Sequence, residues 1–342
     1  MRAIVIHEPK DLRIDERDEP VAGAGEVLVQ IERGGICGSD LHYYRHGGFG
    51  TVRIREPMAL GHEIAGRVVA HGPGVTAPAI GTLVAVNPSM PCGECDFCRA
   101  GMPIHCTNMR FLGSAMRFPH VQGGFAEFLV APVANAVPVP DGMTAEQAAF
   151  AEPLSVCLHA ASHVPVYGKR VLIMGAGPIG ALLVLVARFG GAREIVVTDI
   201  LDAPLAFARQ IGADRTVNVS APDAMAEFEA NKGYFDLAFE AAGQGSTVAK
   251  ALSIVRPQGT IVLVGQGATA ELPVSLVVTK EIDLRGSFRF YSEFALAVDM
   301  IGSGRIDVKP LLSAVLPLSD AVDAFELAGD KSRAMKVQIA FR

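Results

Sequence analysis

The stretch VLIMGAGPIG, from Val171 to Gly180, constrains the fold more than any other part of the sequence. An apolar run is followed at once by glycines in the pattern G-x-G-x-x-G and then by the helix-like segment ALLVLVARFG. Strand-like and helix-like segments then alternate as far as TIVLVG, residues 260–265. Such alternation is typical of strands joined by helical crossovers on a parallel sheet. The sequence therefore predicts an α/β protein with a doubly wound parallel sheet.

The glycines also predict a site for a dinucleotide. The first of them permits a tight turn, the second lets the backbone approach a pyrophosphate, and the third lets the helix pack on the strand. The free N–H groups at the start of the helix would face the phosphates. The predicted cofactor-binding residues of this turn are Gly175, Gly177, Pro178, Ile179 and Gly180.

Asp199 is predicted to select the form of the dinucleotide. It ends the next strand-like segment, 19 residues after Gly180, where a carboxylate accepts hydrogen bonds from the adenosine ribose. The residues that follow it are Ile200, Leu201 and Asp202, so no cation is at hand to neutralise a 2′-phosphate. NAD is therefore predicted over NADP.

The rest of the chain shows a different residue pattern. From residue 1 to about residue 150, short alternating or β-branched runs are bounded by Gly, Pro, Asp and Asn, which predicts a β-rich domain. The tail adds a helix, the connection KPLLSAVLPLSD, another helix and a last strand that returns to the first domain. We expect a domain made of residues 1–150 and 287–342, and a dinucleotide-binding domain at 151–286.

Four of the six cysteines lie close together in PCGECDFCRAGMPIHC, at Cys92, Cys95, Cys98 and Cys106. Disulfides suit small secreted chains, and this one starts without an apolar segment ending in a cleavage site. In ferredoxins the fourth cysteine typically follows after three residues and precedes a proline, whereas here seven residues intervene and Thr107 follows. A structural zinc held by four thiolates in a lobe at about 91–107 fits best.

Composition restricts the class of partner. With 342 residues, a net charge of −6 and a pI near 5.9, the average field would not attract nucleic acid or an anionic membrane. The apolar windows are interrupted by glycine and proline, which argues against a membrane span. We expect a cytoplasmic protein that acts on small molecules.

A second group of metal-binding residue types lies in the β-rich part. GGICGSDLHYY contains Cys37, GHE contains His62 and Glu63, and Glu152 follows in FAEPLSV. A thiolate, an imidazole and a carboxylate with one open position make a catalytic zinc site. Spacing alone leaves this assignment weak, because single His and Cys residues are often packed or surface residues.

These motifs occur together in the order found in zinc-dependent medium-chain dehydrogenases, and the sequence resembles the sorbitol dehydrogenase branch of that family over essentially its whole length. The segments RGGICGSDLHYY, FAEPLSV and LRGSFRFYSEF carry the likeness. The resemblance implies a GroES-like catalytic domain, a Rossmann domain, two zinc ions per chain and a polyol or sugar-acid substrate. It implies a catalytic zinc held by Cys37, His62 and a carboxylate, with Glu63 as the resting ligand and Glu152 as an outer or exchanging one.

The resemblance also assigns roles to further residues. Ser39 and His42 would pass the hydroxyl proton to solvent through the ribose of the cofactor, and Glu152 would assist catalysis. The implied substrate-binding residues are Tyr43, Arg110, Phe111, Glu152 and Arg289, and the additional cofactor-binding residues are Val264, Gly265, Ser287 and Arg289. Phe290 replaces the tyrosine that sorbitol dehydrogenases tend to carry after the arginine.

The family further implies a homo-oligomer, a dimer or a tetramer, with an edge strand near ELPVSLVV pairing across a twofold axis. Three alternatives stay open at this point. The alternatives to a sugar-acid dehydrogenase are a polyol, threonine or butanediol dehydrogenase, a homologue that has lost its chemistry, and a zinc module that binds nucleic acid. The intact Cys37, His62 and Glu63 argue against the second, and the acidic balance argues against the third.

Overall fold

The computed structural model describes residues 1–266 and 271–342. The chain divides into two compact units. Unit 1 contains Met1–Ser155, Tyr291–Asp330 and Lys336–Arg342, and unit 2 contains Val156–Phe290 and Lys331–Met335. The chain therefore passes from unit 1 to unit 2 inside a helix, returns to unit 1 at Tyr291 and, after the short segment Lys331–Met335 of unit 2, ends in unit 1.

The strands, in chain order, are β1 (Arg2–Glu8), β2 (Asp11–Glu16), β3 (Glu26–Gly35), β4 (Gly48–Phe49), β5 (Val52–Arg53), β6 (Met58–Ala59), β7 (Glu63–His71), β8 (Leu83–Val86), β9 (Ser89–Met90), β10 (Arg110–Phe111), β11 (Phe128–Pro132), β12 (Ala136–Pro138), β13 (Arg170–Met174), β14 (Glu194–Asp199), β15 (Arg215–Asn218), β16 (Phe235–Glu240), β17 (Val255–Leu263), β18 (Asp283–Gly286), β19 (Leu312–Pro317) and β20 (Lys336–Ala340).

The helices are α1 (Gly38–His46), α2 (Asp96–Arg99), α3 (Ala145–Ala148), α4 (Ala151–Ser162), α5 (Pro178–Phe189), α6 (Asp202–Gln210), α7 (Gly245–Ile254), α8 (Val274–Lys280), α9 (Glu293–Gly302) and α10 (Ala321–Gly329). None of the helices in the described part of the chain is long and apolar enough to cross a membrane.

The main sheet of unit 1 is built around β3. Its strand order is β12-β8-β7-β3-β20-β19, and β11 also pairs with β3. Val27 and Ile31, which share one face of β3, are fully buried. β7 and β20 run antiparallel to β3 on its two sides, so that Gly35 lies opposite both Glu63 and Gln338. This register brings the first residues of β7 and β20 to the same end of β3.

The sheet of unit 2 has the strand order β15-β14-β13-β16-β17-β18, and every neighbouring pair is parallel. Leu172 on β13 and Val196 on β14 are completely buried, as expected of strands covered on both faces. The strand order reverses between β13 and β16, and ligands of open α/β sheets bind at the carboxyl ends of the strands beside such a point. The predicted doubly wound sheet is confirmed.

Two predicted elements were wrong. The expected edge strand near ELPVSLVV is helix α8, and the sheet ends instead with β18. Leu276 and Val277 of this helix, and Leu272 just before it, pack on the hydrophobic core of unit 2. In the expected connection KPLLSAVLPLSD, residues Leu312–Pro317 form strand β19, which pairs with β20.

Candidate metal and cofactor sites

Three metal-binding side chains meet at the end of β3. Cys37 is the residue directly before α1, and His62 and Glu63 stand at the start of β7. A sulfur, a ring nitrogen and a carboxylate oxygen from these residues all lie within 4.8 Å of one another. His62 and Glu63 are buried and Cys37 is half-buried. The fold therefore brings one thiol, one imidazole and one carboxyl group together in a mostly buried position.

The group fits a metal ion. His62 Nδ1 is buried and has no hydrogen-bond partner among the described residues, which is costly for a polar atom unless a ligand satisfies it. Gly35 makes room for the carboxylate, because a Cβ at this position would lie 2.2 Å from Glu63 Oε2. Thiolate, imidazole and carboxylate are the donor types that zinc uses in catalytic sites.

Asp40 is a residue of this site to which the sequence reasoning gave no role. It is completely buried, and its Oδ2 accepts from the N–H of Cys37 at 3.0 Å while Oδ1 accepts from the N–H of Gly61 at 3.3 Å. Oδ1 also lies 3.7 Å from His62 Nδ1. Burial raises the pKa of Asp40 above its usual value, although His62 acts against this. The carboxyl group ties together the two segments that carry the ligands.

Lys336 is a second residue that the sequence reasoning missed. Its Nζ donates to the carbonyl of Ile36 at 3.0 Å and to Glu63 Oε1 at 2.6 Å, and it forms an ion pair with Glu63 Oε2. Burial lowers the pKa of Lys336, but Glu63 and Cys37 raise it by more, so the pKa is raised overall. No signal in the sequence around Lys336 points to the metal site, because the contact depends on the pairing of β20 with β3.

The two candidate carboxylate ligands occupy different positions. Glu63 belongs to the three-donor group, whereas Glu152, near the start of α4, does not. Glu152 is nevertheless close enough to interact electrostatically with the group. Burial raises the pKa of Glu152 to about 8, with Glu63 and Cys37 adding to the effect and His62 opposing it. Burial and Glu63 likewise raise the pKa of the Cys37 thiol to about 12.

The four clustered cysteines form a second group that could hold a metal ion, and none of the six cysteines is in a disulfide. The sulfurs of Cys92, Cys95, Cys98 and Cys106 lie within 4.8 Å of one another. Backbone N–H groups of Cys92 and Asn108 donate to the Cys106 sulfur at 3.2 and 3.3 Å. Backbone N–H groups of Cys98 and Thr107 lower the pKa of Cys95 to about 6. A loop that already directs N–H groups at sulfur suits four thiolates around one zinc.

The predicted dinucleotide turn lies at the carboxyl end of β13. Gly175 has a φ of 97°, and α5 begins with Pro178 after Gly177. Asp199 Oδ2 accepts from the N–H of Ala176 at 2.8 Å. Its Oδ1 accepts from the backbone N–H groups of the next two residues. The carboxylate is thereby fixed between the glycine turn and the end of β14.

The predicted proton-relay residues Ser39 and His42 and the predicted substrate-binding residues Tyr43 and Phe111 belong to unit 1. Ser39 acts to lower the pKa of the Cys37 thiol, against the stronger effect of burial. His42, on the same helix, is exposed, with its ring 6.0 Å from that of Phe49. The Phe111 ring lies 5.6 Å from that of His62. Tyr43 is buried, and its hydroxyl accepts from the N–H of Ala115 at 3.0 Å.

The remaining predicted site residues lie on β10 and in the segments that follow β17 and β18. Arg110 is exposed on β10, where it neighbours the buried Phe111. In unit 2, Ser287 donates its N–H to the carbonyl of Leu263, while its hydroxyl is buried without a partner in the described chain. Arg289 has a φ of 54°, and its guanidinium lies 4.9 Å from the Phe288 ring centre. Val264 and Gly265 follow β17 and donate their N–H groups to the carbonyl of Glu240.

Comparison with known proteins identifies the family of the chain. Residues 23–141 match the alcohol dehydrogenase GroES-like domain, and residues 178–303 match the zinc-binding dehydrogenase domain. L-idonate 5-dehydrogenase (NAD(P)(+)) of Escherichia coli K12 is 48% identical over 317 residues, which are 92% of each chain. Sorbitol dehydrogenase of Bacillus subtilis is 34% identical over 99% of this chain and 97% of its own.

The solved structures give the same picture. The crystal structure of L-idonate 5-dehydrogenase from Escherichia coli superposes with a TM-score of 0.94 at 45% identity, and the match covers 99% of this chain and 98% of the other. The structure of 2R,3R-butanediol dehydrogenase from Bacillus subtilis follows the same fold with a TM-score of 0.90 at 27% identity, over 100% and 99% of the two chains. The chain therefore belongs to the zinc-binding alcohol dehydrogenase family, in which sorbitol and L-idonate dehydrogenases are its relatives.

Proposed function

We propose that the protein is an L-idonate 5-dehydrogenase, which reversibly oxidises L-idonate to 5-keto-D-gluconate with NAD. The buried group of Cys37, His62 and Glu63 carries the proposal, because it supplies the donors of a catalytic zinc in a chain that is 48% identical to a protein of that name. The acceptor of the hydride is the nicotinamide, whose chemistry belongs to the cofactor.

The residues have separate tasks in this scheme. Cys37, His62 and Glu63 would hold the catalytic zinc, and the four cysteines of the lobe would hold the structural one. A bound zinc acts as a Lewis acid that lowers the pKa of a coordinated hydroxyl. Asp40 keeps the ligand-bearing segments in register through its bonds to Cys37 and Gly61.

The proton of the substrate hydroxyl needs a path to solvent. Ser39 interacts with the Cys37 thiol and His42 is exposed three residues further along α1. Residues three apart lie on the same side of a helix. We assign Ser39 as the first acceptor and His42 as the group that passes the proton to water.

Glu63 is the proposed resting ligand, and Glu152 the outer or exchanging one. Support comes from the donor distances, which include Glu63 and leave out Glu152. Metal occupancy of the Glu63→Ala and Glu152→Ala variants tests the assignment. Full catalytic zinc in the first variant together with loss in the second would reverse it.

The proposed cofactor is NAD rather than NADP. Asp199 is held by three backbone N–H groups at the end of β14, so that its negative charge stays where an adenosine ribose binds. A 2′-phosphate would meet this charge, and the next three residues include no Lys or Arg.

The proposed substrate-binding residues are Tyr43, Arg110, Phe111 and Glu152 of unit 1 and Arg289 of unit 2. An arginine suits the carboxylate of a sugar acid because its guanidinium matches that group with paired N–H donors. Phe290, where related polyol enzymes tend to have tyrosine, is almost completely buried, so it packs rather than offering a hydroxyl. We further propose a cytoplasmic homo-oligomer, a dimer or a tetramer.

A polyol dehydrogenase is the second candidate, since sorbitol dehydrogenases are 34–35% identical over nearly the whole chain. The deciding experiment measures NADH formation with L-idonate, D-gluconate, sorbitol, xylitol and L-threonine, on protein whose zinc content is known. We expect the highest kcat/KM with L-idonate and about two zinc per chain. A preference for a polyol would keep the zinc chemistry and overturn the substrate, whereas one zinc and no activity would overturn both.

A further inference from the structure

Glu240 is a buried carboxylate at the carboxyl end of β16, and the proposed mechanism gives it no role. Its side chain is 1% exposed. Its Oε1 accepts three hydrogen bonds, from the N–H groups of Ala242 at 3.0 Å and Gly243 at 2.9 Å and from the hydroxyl of Thr247 at 2.7 Å. It forms no ion pair with any described residue, so these donors alone stabilise the group.

The segment Ala241–Gly243 packs closely against two glycines, Gly175 and Gly265. A Cβ on Gly175, the first glycine of the dinucleotide turn, would lie 2.9 Å from the nitrogen of Ala242. A Cβ on Gly265, after β17, would lie 2.4 Å from the nitrogen of Gly243 and 2.9 Å from Glu240 Oε2. Such distances leave no space for a side chain at either position. The segment is therefore packed against the loops that follow both neighbouring strands.

The bonds to Glu240 also orient the peptide groups. In a trans peptide the C=O points opposite to the N–H of the next residue. Because the N–H groups of Ala242 and Gly243 point at the carboxylate, the carbonyls of Ala241 and Ala242 point away from it. Neither carbonyl accepts a hydrogen bond from the described residues, and Ala242 is exposed.

The position in the sheet indicates which part of the dinucleotide these carbonyls would meet. Asp199 marks the adenosine ribose at the end of β14, and the glycine turn marks the pyrophosphate at the end of β13. The strands β14, β13 and β16 are consecutive neighbours. The nicotinamide half therefore follows at the end of β16, where its ribose hydroxyls and carboxamide N–H groups need acceptors.

We propose that Glu240 is a positioning residue for the nicotinamide half of the dinucleotide, acting through the carbonyls of Ala241 and Ala242. This inference rests on the proposed dinucleotide function and goes beyond it in naming a residue outside the glycine motif. The Glu240 carboxylate accepts hydrogen bonds from the N–H groups of Ala242 and Gly243, which would otherwise be free to turn outward. The side of the segment that meets the cofactor then offers only carbonyl acceptors.

The test uses the zinc-loaded enzyme and the variants Glu240→Gln, Glu240→Met and Thr247→Val. A neutral amide is a weaker acceptor than a carboxylate, and a thioether is weaker still. We expect the Kd of NADH, measured by its fluorescence, to rise about threefold for Gln and about tenfold or more for Met, in line with the loss of charge-assisted hydrogen bonds. Thr247→Val, which removes one donor, should raise it by about threefold.

AMP distinguishes positioning from a general structural role, because it contains only the adenosine half. We expect its Kd to change by less than about twofold in every variant, while KM for NAD rises. Glu227→Gln, an exposed glutamate in the same unit, is the matched control and should change nothing.

Two results would overturn the proposal. One is an unchanged Kd of NADH in Glu240→Met. The other is an equal weakening of NADH and AMP, accompanied by a lower unfolding temperature, which would assign Glu240 to the stability of the unit. Failure of the proposed function is recognised separately, since a wild-type enzyme that binds neither NADH nor NADPH would contradict the function before any variant is compared.

Discussion

The ammonium of Lys336 is buried against the carboxylate of Glu63, with 2.6 Å between Nζ and Oε1. The two residues are 273 positions apart in sequence. They meet because β7 and β20 flank the same end of β3. Their side chains are only 3% and 1% exposed. Removing either partner would therefore leave the other charge buried away from water, with no opposite charge beside it.

Lys336→Met should destabilise the metal-depleted protein strongly. We expect the free energy of unfolding to fall by about 3–5 kcal/mol, as is usual when one partner of a buried ion pair is removed. Urea denaturation followed by circular dichroism measures it. Glu63→Gln added to Lys336→Met should recover part of the loss, and Lys250→Met, which breaks an exposed pair with Glu229, should cost about 1 kcal/mol or less. Similar losses for the buried and the exposed variant would contradict the expectation.

Asp40→Asn should weaken the catalytic zinc site without affecting the cysteine lobe. The amide keeps the size of the side chain but loses the charge beside His62, and outer partners of metal ligands typically contribute about 10–100-fold in affinity. Competition with a chelator, with zinc release followed over time, measures the change. The lobe zinc serves as the internal control, and simultaneous loss of both ions would show that Asp40 acts on folding instead.

Cys98→Ser should reduce the zinc content from about two to about one per chain, because four thiolates complete the lobe site. Elemental analysis checks the number. Cys37→Ser should remove the other ion and abolish activity, whereas Cys98→Ser should lower the unfolding temperature more. A variant that kept about two zinc would contradict the site to which its cysteine is assigned.

Asp199→Asn should reduce the preference for NAD over NADP. Without the negative charge a 2′-phosphate is no longer repelled, and we expect the ratio of kcat/KM for the two cofactors to shift by about tenfold or more toward NADP. Steady-state kinetics at fixed substrate measure the ratio. A wild-type enzyme that already prefers NADPH would contradict the reasoning from Asp199.

His42→Ala should slow turnover mainly at low pH, where hydroxide is too scarce to replace the imidazole as proton acceptor. The measurement is kcat across the pH range at saturating substrate. His46→Ala is the matched control, since His46 is exposed on the same helix and has no role in the proposed relay. Profiles that coincide for the wild type and His42→Ala would remove His42 from the path.

The features that the sequence predicted well are local in the chain. The strand β13, the glycine turn and the helix α5 lie together in residues 170–189, and the lobe cysteines lie within fifteen residues, so their order and spacing in the sequence were enough to predict that they meet. The position of Asp40 could have been predicted from its spacing in the sequence. It lies three residues after Cys37 and its side chain accepts from the Cys37 N–H, which is the spacing of a carboxylate that caps the start of a helix.

Other features depend on contacts that spacing does not reveal. Lys336 enters the metal site only through the placement of β20 beside β3. Val274–Lys280 form a helix despite the strand preference of valine, and Leu276 and Val277 of this helix pack on the core of unit 2. Glu240 looks like any strand-end acid in the sequence, and its three hydrogen-bond donors are set by the turn that follows.

The central place of the last strand has a consequence for synthesis on the ribosome. Residues Cys37, His62 and Glu63 emerge early, but Lys336, which bonds to Ile36, follows 300 positions after that residue. Throughout most of translation, one side of β3 lacks its neighbour β20, and Glu63 lacks its cation. A nascent chain thus carries the three zinc donors long before it carries the charge that balances them.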